Sequence, residues 1–125
     1  MIRHMVALAA LGLAAAAPAA AQDAAAGQRV FNQCRACHTI NEGGRSGVGP
    51  NLHSVVGRKA AAIEGFRYSA PMREKAAGGL TWNEESLRNY IHNPKEVVPG
   101  GTMSYPGLRN DQQLNDLIAY LKQQS

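Results

Sequence analysis

Cys34, Cys37 and His38 stand together in the run Cys34-Arg35-Ala36-Cys37-His38. Two thiols at this spacing can each add to a vinyl group, and the adjoining imidazole can reach a metal held in the same group. This is the C-x-x-C-H spacing of a c-type haem attachment site. Other uses of a C-x-x-C pair ask for companions that the sequence lacks. A thioredoxin-like redox site needs a βαβ pattern nearby, and none is visible. A zinc site needs more ligands. There is no second Cys-x-x-Cys and no His-x-x-x-His, and His53 and His92 stand alone. A lone disulfide remains open to an exported chain, but haem attachment is the use that employs both cysteines and His38.

Two further positions suit the same chemistry. A ligating imidazole needs an acceptor for its second ring nitrogen, which fixes the ring and strengthens its donation. Pro50, in Gly49-Pro50-Asn51-Leu52, has no N–H but keeps its carbonyl. Met103 lies in a Pro- and Gly-rich loop, with Pro99 before it and Pro106 after it. A methionine is ordinarily core filling, but a thioether in a stiff loop suits haem iron.

The elements that must position these residues read as helices and loops, with no sheet and no internal repeat. Asp23 caps a first helix through Gly27, Val30 and Phe31 to Gln33, with its apolar positions on one face. Residues 39–48 and 55–68 are loop. Ser69 caps a short helix with Pro71 near its start, ending at Gly78-Gly79. Thr81-Trp82-Asn83-Glu84 has the form of a capping box, opening a helix to about His92. Pro94 stops that helix, and Asn93-Pro94-Lys95 reads as a turn. Asn110 and Gln113 open the last helix, in which Leu114, Leu117, Ile118 and Leu121 form one apolar stripe. Its natural partner is the first helix.

Composition bounds the rest. The chain has 125 residues, enough for one domain. Met1 to Met5 is weakly basic, the stretch from Val6 to Ala17 is apolar, and Ala19-Ala20-Ala21 supplies an A-x-A site before Gln22. Residues 1–21 therefore read as a cleaved secretory signal peptide, with residues 22–125 as the exported domain. Only Arg3 of the 13 Lys and Arg lies in that segment, so the remainder carries 12 basic against 9 acidic residues, a net charge of +3. No basic run is interleaved with aromatics, which argues against nucleic acid. So small a domain, rich in glycine, gains from a covalently held porphyrin at its centre.

The motifs resemble a known family, the class I soluble cytochromes c, in their mitochondrial-like bacterial group. The likeness is carried by Phe31-x-x-Cys34-x-x-Cys37-His38-Thr39-Ile40, Val48-Gly49-Pro50-Asn51-Leu52-His53 and Gly57-Arg58-Lys59. It continues in Gly65-Phe66-Arg67-Tyr68, Leu80-Thr81-Trp82, Tyr90-Ile91-His92-Asn93-Pro94-Lys95 and Val98-Pro99-Gly100. It closes in Met103-Ser104-Tyr105-Pro106-Gly107-Leu108 and Asp116-Leu117-Ile118-Ala119-Tyr120-Leu121-Lys122. The resemblance implies an all-α cytochrome c fold of about four to five helices around one haem c, with the terminal helices crossing. Gly27, Phe31, Leu117 and Tyr120 match that crossing.

The resemblance further implies thioethers at Cys34 and Cys37, axial ligands His38 and Met103, and a Pro50 carbonyl that accepts from His38. Arg58, Tyr68 and Trp82 fall where the family hydrogen-bonds the inner propionate, and Tyr90 falls beside the methionine sulfur. Three features depart from the pattern. Gly100-Gly101-Thr102 precedes Met103 where the family has Thr-Lys. Met72 replaces a pocket Asn, and the segment from Tyr68 to Trp82 is a few residues longer. The family's lysine ring is sparse, which leaves Arg35, Arg45, Arg67 and Lys95 as the basic rim.

The function so implied is that of a monomeric, periplasmic carrier of single electrons, not an enzyme. Its partners would be a membrane quinol-oxidising complex, a terminal oxidase, a photosynthetic reaction centre or a periplasmic dehydrogenase, met by transient docking. The altered approach to Met103 motivates one alternative, a haem enzyme or gas-binding protein with a labile sixth site.

Overall fold

The two ends of the domain meet in a helix crossing. In the computed structural model, which describes residues 22–125, α1 spans Ala24–Phe31 and α5 spans Asp111–Gln123. The expected signal segment, residues 1–21, lies outside the described residues. Asp23 caps α1, its side chain accepting from the Ala26 N–H, and its own N–H donates to Asp116 Oδ1 of α5 at 3.0 Å. Asn110 caps α5 by accepting from the Gln113 N–H. At the crossing, a Cβ on Gly27 would stand 1.9 Å from the Asp116 carbonyl oxygen. Only glycine permits so close an approach. Phe31 packs against Tyr120 with ring centroids 5.4 Å apart. Phe31, Leu114, Leu117 and Ile118 are fully buried, each worth about 1.5–3 kcal/mol relative to exposure. The sequence-based pairing of first and last helices is the observed one.

Between them lie α2 (Ala70–Ala77), α3 (Glu84–His92) and α4 (Pro94–Val97). Three local expectations are corrected. The first helix ends at Phe31 rather than Gln33, because the chain tightens into turns there, with Cys34 N–H donating to the Phe31 carbonyl at 2.7 Å. Thr81 does not cap α3. Asn83 does, accepting from the Ser86 N–H, while Thr81 pairs with Lys59 in an isolated antiparallel bridge. Asn93-Pro94-Lys95 is no mere turn. Proline suits the first helical position, where an N–H has no partner anyway, and Pro94 opens the short α4.

Among the described residues there is no strand, and no helix is long and apolar enough to cross a membrane. The long irregular stretch after His38 is held by polar contacts instead. Asn51 is buried and central to them. Its Nδ2 donates to Thr39 Oγ1 and the Asn41 carbonyl, its Oδ1 accepts from the His53 N–H, and its N–H donates to Ser46 Oγ. Further on, Trp82 N–H donates to the Arg58 carbonyl at 2.8 Å and Gly57 N–H to the Trp82 carbonyl at 2.7 Å. Those bonds set Arg58 and Trp82 side by side.

Candidate haem site

The helices and loops line a cavity of about 310 Å³, within the ~300–1,000 Å³ of small-molecule and cofactor sites. Its floor is the core face of the terminal helices, Phe31, Leu117 and Leu121. One wall carries Cys34, Cys37 and His38. The turns after α1 place them, with Cys37 and His38 N–H groups both donating to the Cys34 carbonyl. The two cysteines are not joined to each other in a disulfide. Burial pushes the Cys34 thiol up to about 11, helped by Cys37 and opposed by Arg35, so the fold alone does not make it a thiolate at neutral pH.

His38 Nδ1 lies 2.7 Å from the Pro50 carbonyl oxygen. A carbonyl only accepts, so Nδ1 carries the proton and Nε2 keeps its lone pair. Burial lowers the His38 pKa, the Pro50 bond pulls it back up, and the charge of Arg58 lowers it again. The net result is a neutral imidazole, the form that ligates metals. Gly49 lies flat against this ring: a Cβ there would be 2.3 Å from Cε1. The Gly49-Pro50 pair thus supplies both the space and the acceptor.

Met103 lines the cavity from the loop after α4. Gly101 N–H donates to the Val98 carbonyl at 3.0 Å, and Gly100 has φ +79°. With Pro99 second in the turn, this is the type II geometry that calls for glycine third. The glycine inserted before Thr102 is absorbed there, and the approach to Met103 stays tight. Met72 of α2 also lines the cavity, whereas His92 lies outside its lining.

The remaining candidates share the same space. Arg58 donates to the carbonyls of His53 and Asn51, at 3.2 and 3.0 Å. Tyr68 accepts from the Ile63 N–H at 3.0 Å and keeps its own proton to donate. Trp82 is buried, its ring centroid 4.9 Å from that of Tyr90. Burial pushes the Tyr90 phenol up, so it stays protonated. All nine residues singled out in the sequence, Pro50 included, border this one cavity. The four residues of the expected basic rim, Arg35, Arg45, Arg67 and Lys95, are exposed and outside the lining. Arg35 bonds Asn32 Oδ1 and covers the Phe31 ring, its guanidinium 5.0 Å from the centroid.

Sequence reasoning missed the Asn51 network that steadies Pro50, and it missed Tyr105, whose hydroxyl donates to Gln33 Oε1 at 3.1 Å. Neither leaves a periodic signal. Phe66 carries no such signal either. It lines the cavity and meets Tyr68 edge-on at 4.8 Å.

The chemistry of this lining suits a haem. Two sulfurs, a neutral imidazole and a thioether share an apolar space. Arg58, half-buried in the wall, has no carboxylate partner among the described residues, and a cation so placed calls for an anionic substituent on whatever fills the cavity.

Comparison with known proteins agrees. The family model described as Cytochrome c matches residues 24–125. Cytochrome c2 of Blastochloris viridis is 48% identical over 110 residues, covering 88% of this chain and 84% of that protein. Cytochrome c-554 of Methylosinus trichosporium is 44% identical, covering 83% of this chain and 76% of that one. The solved structure of cytochrome cH from Methylobacterium extorquens superposes with a TM-score of 0.73 at 40% identity, over 81% of this chain and 98% of its own. Together with the fold and the cavity, these matches show that the chain belongs to the cytochrome c family, as a class I cytochrome with covalently bound haem c that carries electrons and is not an enzyme.

Proposed function

We propose that the protein is a periplasmic shuttle of single electrons whose haem is six-coordinate, with His38 and Met103 as axial ligands and thioethers at Cys34 and Cys37. One observation carries the reading: His38, with its free Nε2, and the Met103 thioether border the same cavity as the two cysteines. When bound, the haem supplies an iron that takes up and releases one electron. Pro50 holds the His38 ring and its tautomer, so the lone pair is oriented in advance. As a ligand, the Met103 thioether would favour the ferrous state and raise the potential, and would leave no open site for oxygen or peroxide. Arg58, Tyr68 and Trp82 stand ready to donate to an inner propionate, and Tyr90 to the methionine sulfur. The largely apolar lining suits the porphyrin's apolar faces.

The A-x-A site before Gln22 supports export, with residues 1–21 removed and residues 22–125 as the working domain. The protein acts as a monomer. It docks transiently with a membrane quinol-oxidising complex and an acceptor such as a terminal oxidase, a reaction centre or a periplasmic dehydrogenase. Weak, charge-steered encounters suit such turnover. The test is the optical spectrum and potential of the oxidised holoprotein and of its Met103→Ala variant. The parent should show the weak far-red band of an iron–sulfur bond. The variant should lose it, drop in potential and bind exogenous ligands. An unchanged potential would assign the sixth position to another residue, with Met72 first in line.

A further inference from the structure

The segment that carries Met103 is tied down sparsely. Gly101 N–H donates to the Val98 carbonyl, and the next backbone anchor is Leu108 N–H to the Ile91 carbonyl at 2.9 Å. Among the described residues, 102–107 make no backbone–backbone hydrogen bond. One side-chain bond crosses the interval. Tyr105 donates to Gln33 Oε1 over a sequence separation of 72. Gln33 immediately precedes Cys34, and its N–H donates to the Val30 carbonyl of α1. Its position is therefore fixed by the terminal-helix crossing. Both Gln33 and Tyr105 line the cavity, and the Tyr105 ring packs against the core.

We propose that Tyr105 and Gln33 form a clasp across the cavity mouth that positions the Met103 segment and limits how often it opens. The proposal rests on Met103 being the sixth ligand. Apart from the Met103 thioether's own bond to iron, opening the segment means breaking that one hydrogen bond and lifting the Tyr105 ring. The clasp is exposed to solvent, so its net strength is that of an ordinary surface hydrogen bond. Removing it raises the open population about two- to fivefold, the ratio set by a net hydrogen bond of modest strength. The fold itself is not at stake, because the crossing and the type II turn do not depend on the phenol.

The experiment uses the ferric holoprotein with imidazole as the incoming ligand, and stopped-flow decay of the iron–sulfur band as the readout. Tyr105→Phe and Gln33→Ala should each raise the displacement rate about two- to fivefold, with melting temperatures unchanged. The double variant should be no faster than the faster single variant, since both remove the same bond. Rates equal to the parent's, or effects that multiply in the double variant, would overturn the clasp. A parent without the iron–sulfur band would instead sink the Met103 assignment. In that event, amide hydrogen exchange at Leu108, whose N–H donates to the Ile91 carbonyl where the segment is next anchored, still decides the clasp, with faster exchange in both variants supporting it and equal exchange overturning it.

Discussion

Replacing Gly49 by alanine would set a methyl group 2.3 Å from His38 Cε1 and 2.7 Å from both ring nitrogens. The closest of these falls 1.1 Å short of the 3.4 Å at which ordinary contact begins. Either the imidazole or the turn must yield by that amount, and a shift of this size breaks the 2.7 Å bond from Nδ1 to the Pro50 carbonyl. Losing that bond costs about 1 kcal/mol, and overpacking adds ~1–3 kcal/mol. At ~4–8 °C per kcal/mol for a domain of this size, the holoprotein should melt at least about 10 °C lower. The potential should move too. An imidazole without its acceptor donates less to iron, which favours the ferrous state. A rise of tens of millivolts follows, on the scale of ~59 mV per tenfold for one electron. Gly47→Ala is the matched control in the same turn, for its Cβ would meet nothing nearer than the Cys37 carbonyl oxygen at 3.6 Å. It should leave both readouts alone. Differential scanning calorimetry and a redox titration of both variants decide the matter. A Gly49→Ala holoprotein with the parent's melting temperature and potential would refute the claim that this glycine sets the imidazole's place.

Three other outcomes are expected. Gly27→Ala drives a methyl into the Asp116 backbone and should cost about 3 kcal/mol or more, despite alanine's better helix propensity; an unchanged urea midpoint would contradict the close crossing. Before its Nε2 is taken by iron, His38 has a folded pKa below its ordinary 6.5, so in the haem-free chain the unfolded state takes up the proton first. Stability should therefore fall as pH drops below about 6.5, by at most ~1.4 kcal/mol per pH unit; a urea midpoint flat between about pH 7 and 5 would count against a buried neutral imidazole. Arg58→Gln removes a positive charge from the cavity wall and should lower the potential by tens of millivolts, and a redox titration matching the parent would show that the charge is not felt at the iron.

Much of this architecture was legible because the chain repeats its message locally. Asp23, Ser69 and Asn110 are cap residues at helix starts, and the Leu114, Leu117, Ile118 and Leu121 stripe has the helical period, so the helices they open or line could be read directly. Cys34, Cys37 and His38 are adjacent in sequence, which makes their chemistry local as well. The exceptions have a common cause. Thr81 and Asn83 both suit a cap, and the choice fell to Asn83 because Thr81 is drawn into pairing with Lys59, a tertiary event. The Asn51 hub and the Tyr105–Gln33 bond join residues that no spacing relates. Arg58 and Tyr90 rest on the resemblance alone, since nothing in the residues around them says that they converge with the stiff loop that singles out Met103.

The crossing of α1 and α5 has a kinetic meaning as well as a structural one. It closes residues 32–110 into a single loop, and every wall of the cavity except the floor belongs to that loop. Closing so long a loop is entropically costly, but the cost grows only logarithmically with length, and one well-packed contact at Gly27 and Phe31 answers it. The cavity therefore has no lower-order fragment that could persist alone. If the terminal helices part, the loop loses its closure and the floor of the site together. Amide protection in α1 and α5 should report global unfolding, while the Met103 segment samples its own shallower excursions. The redox centre thus sits between the packed crossing of α1 and α5 and a sparsely tied segment of the same chain.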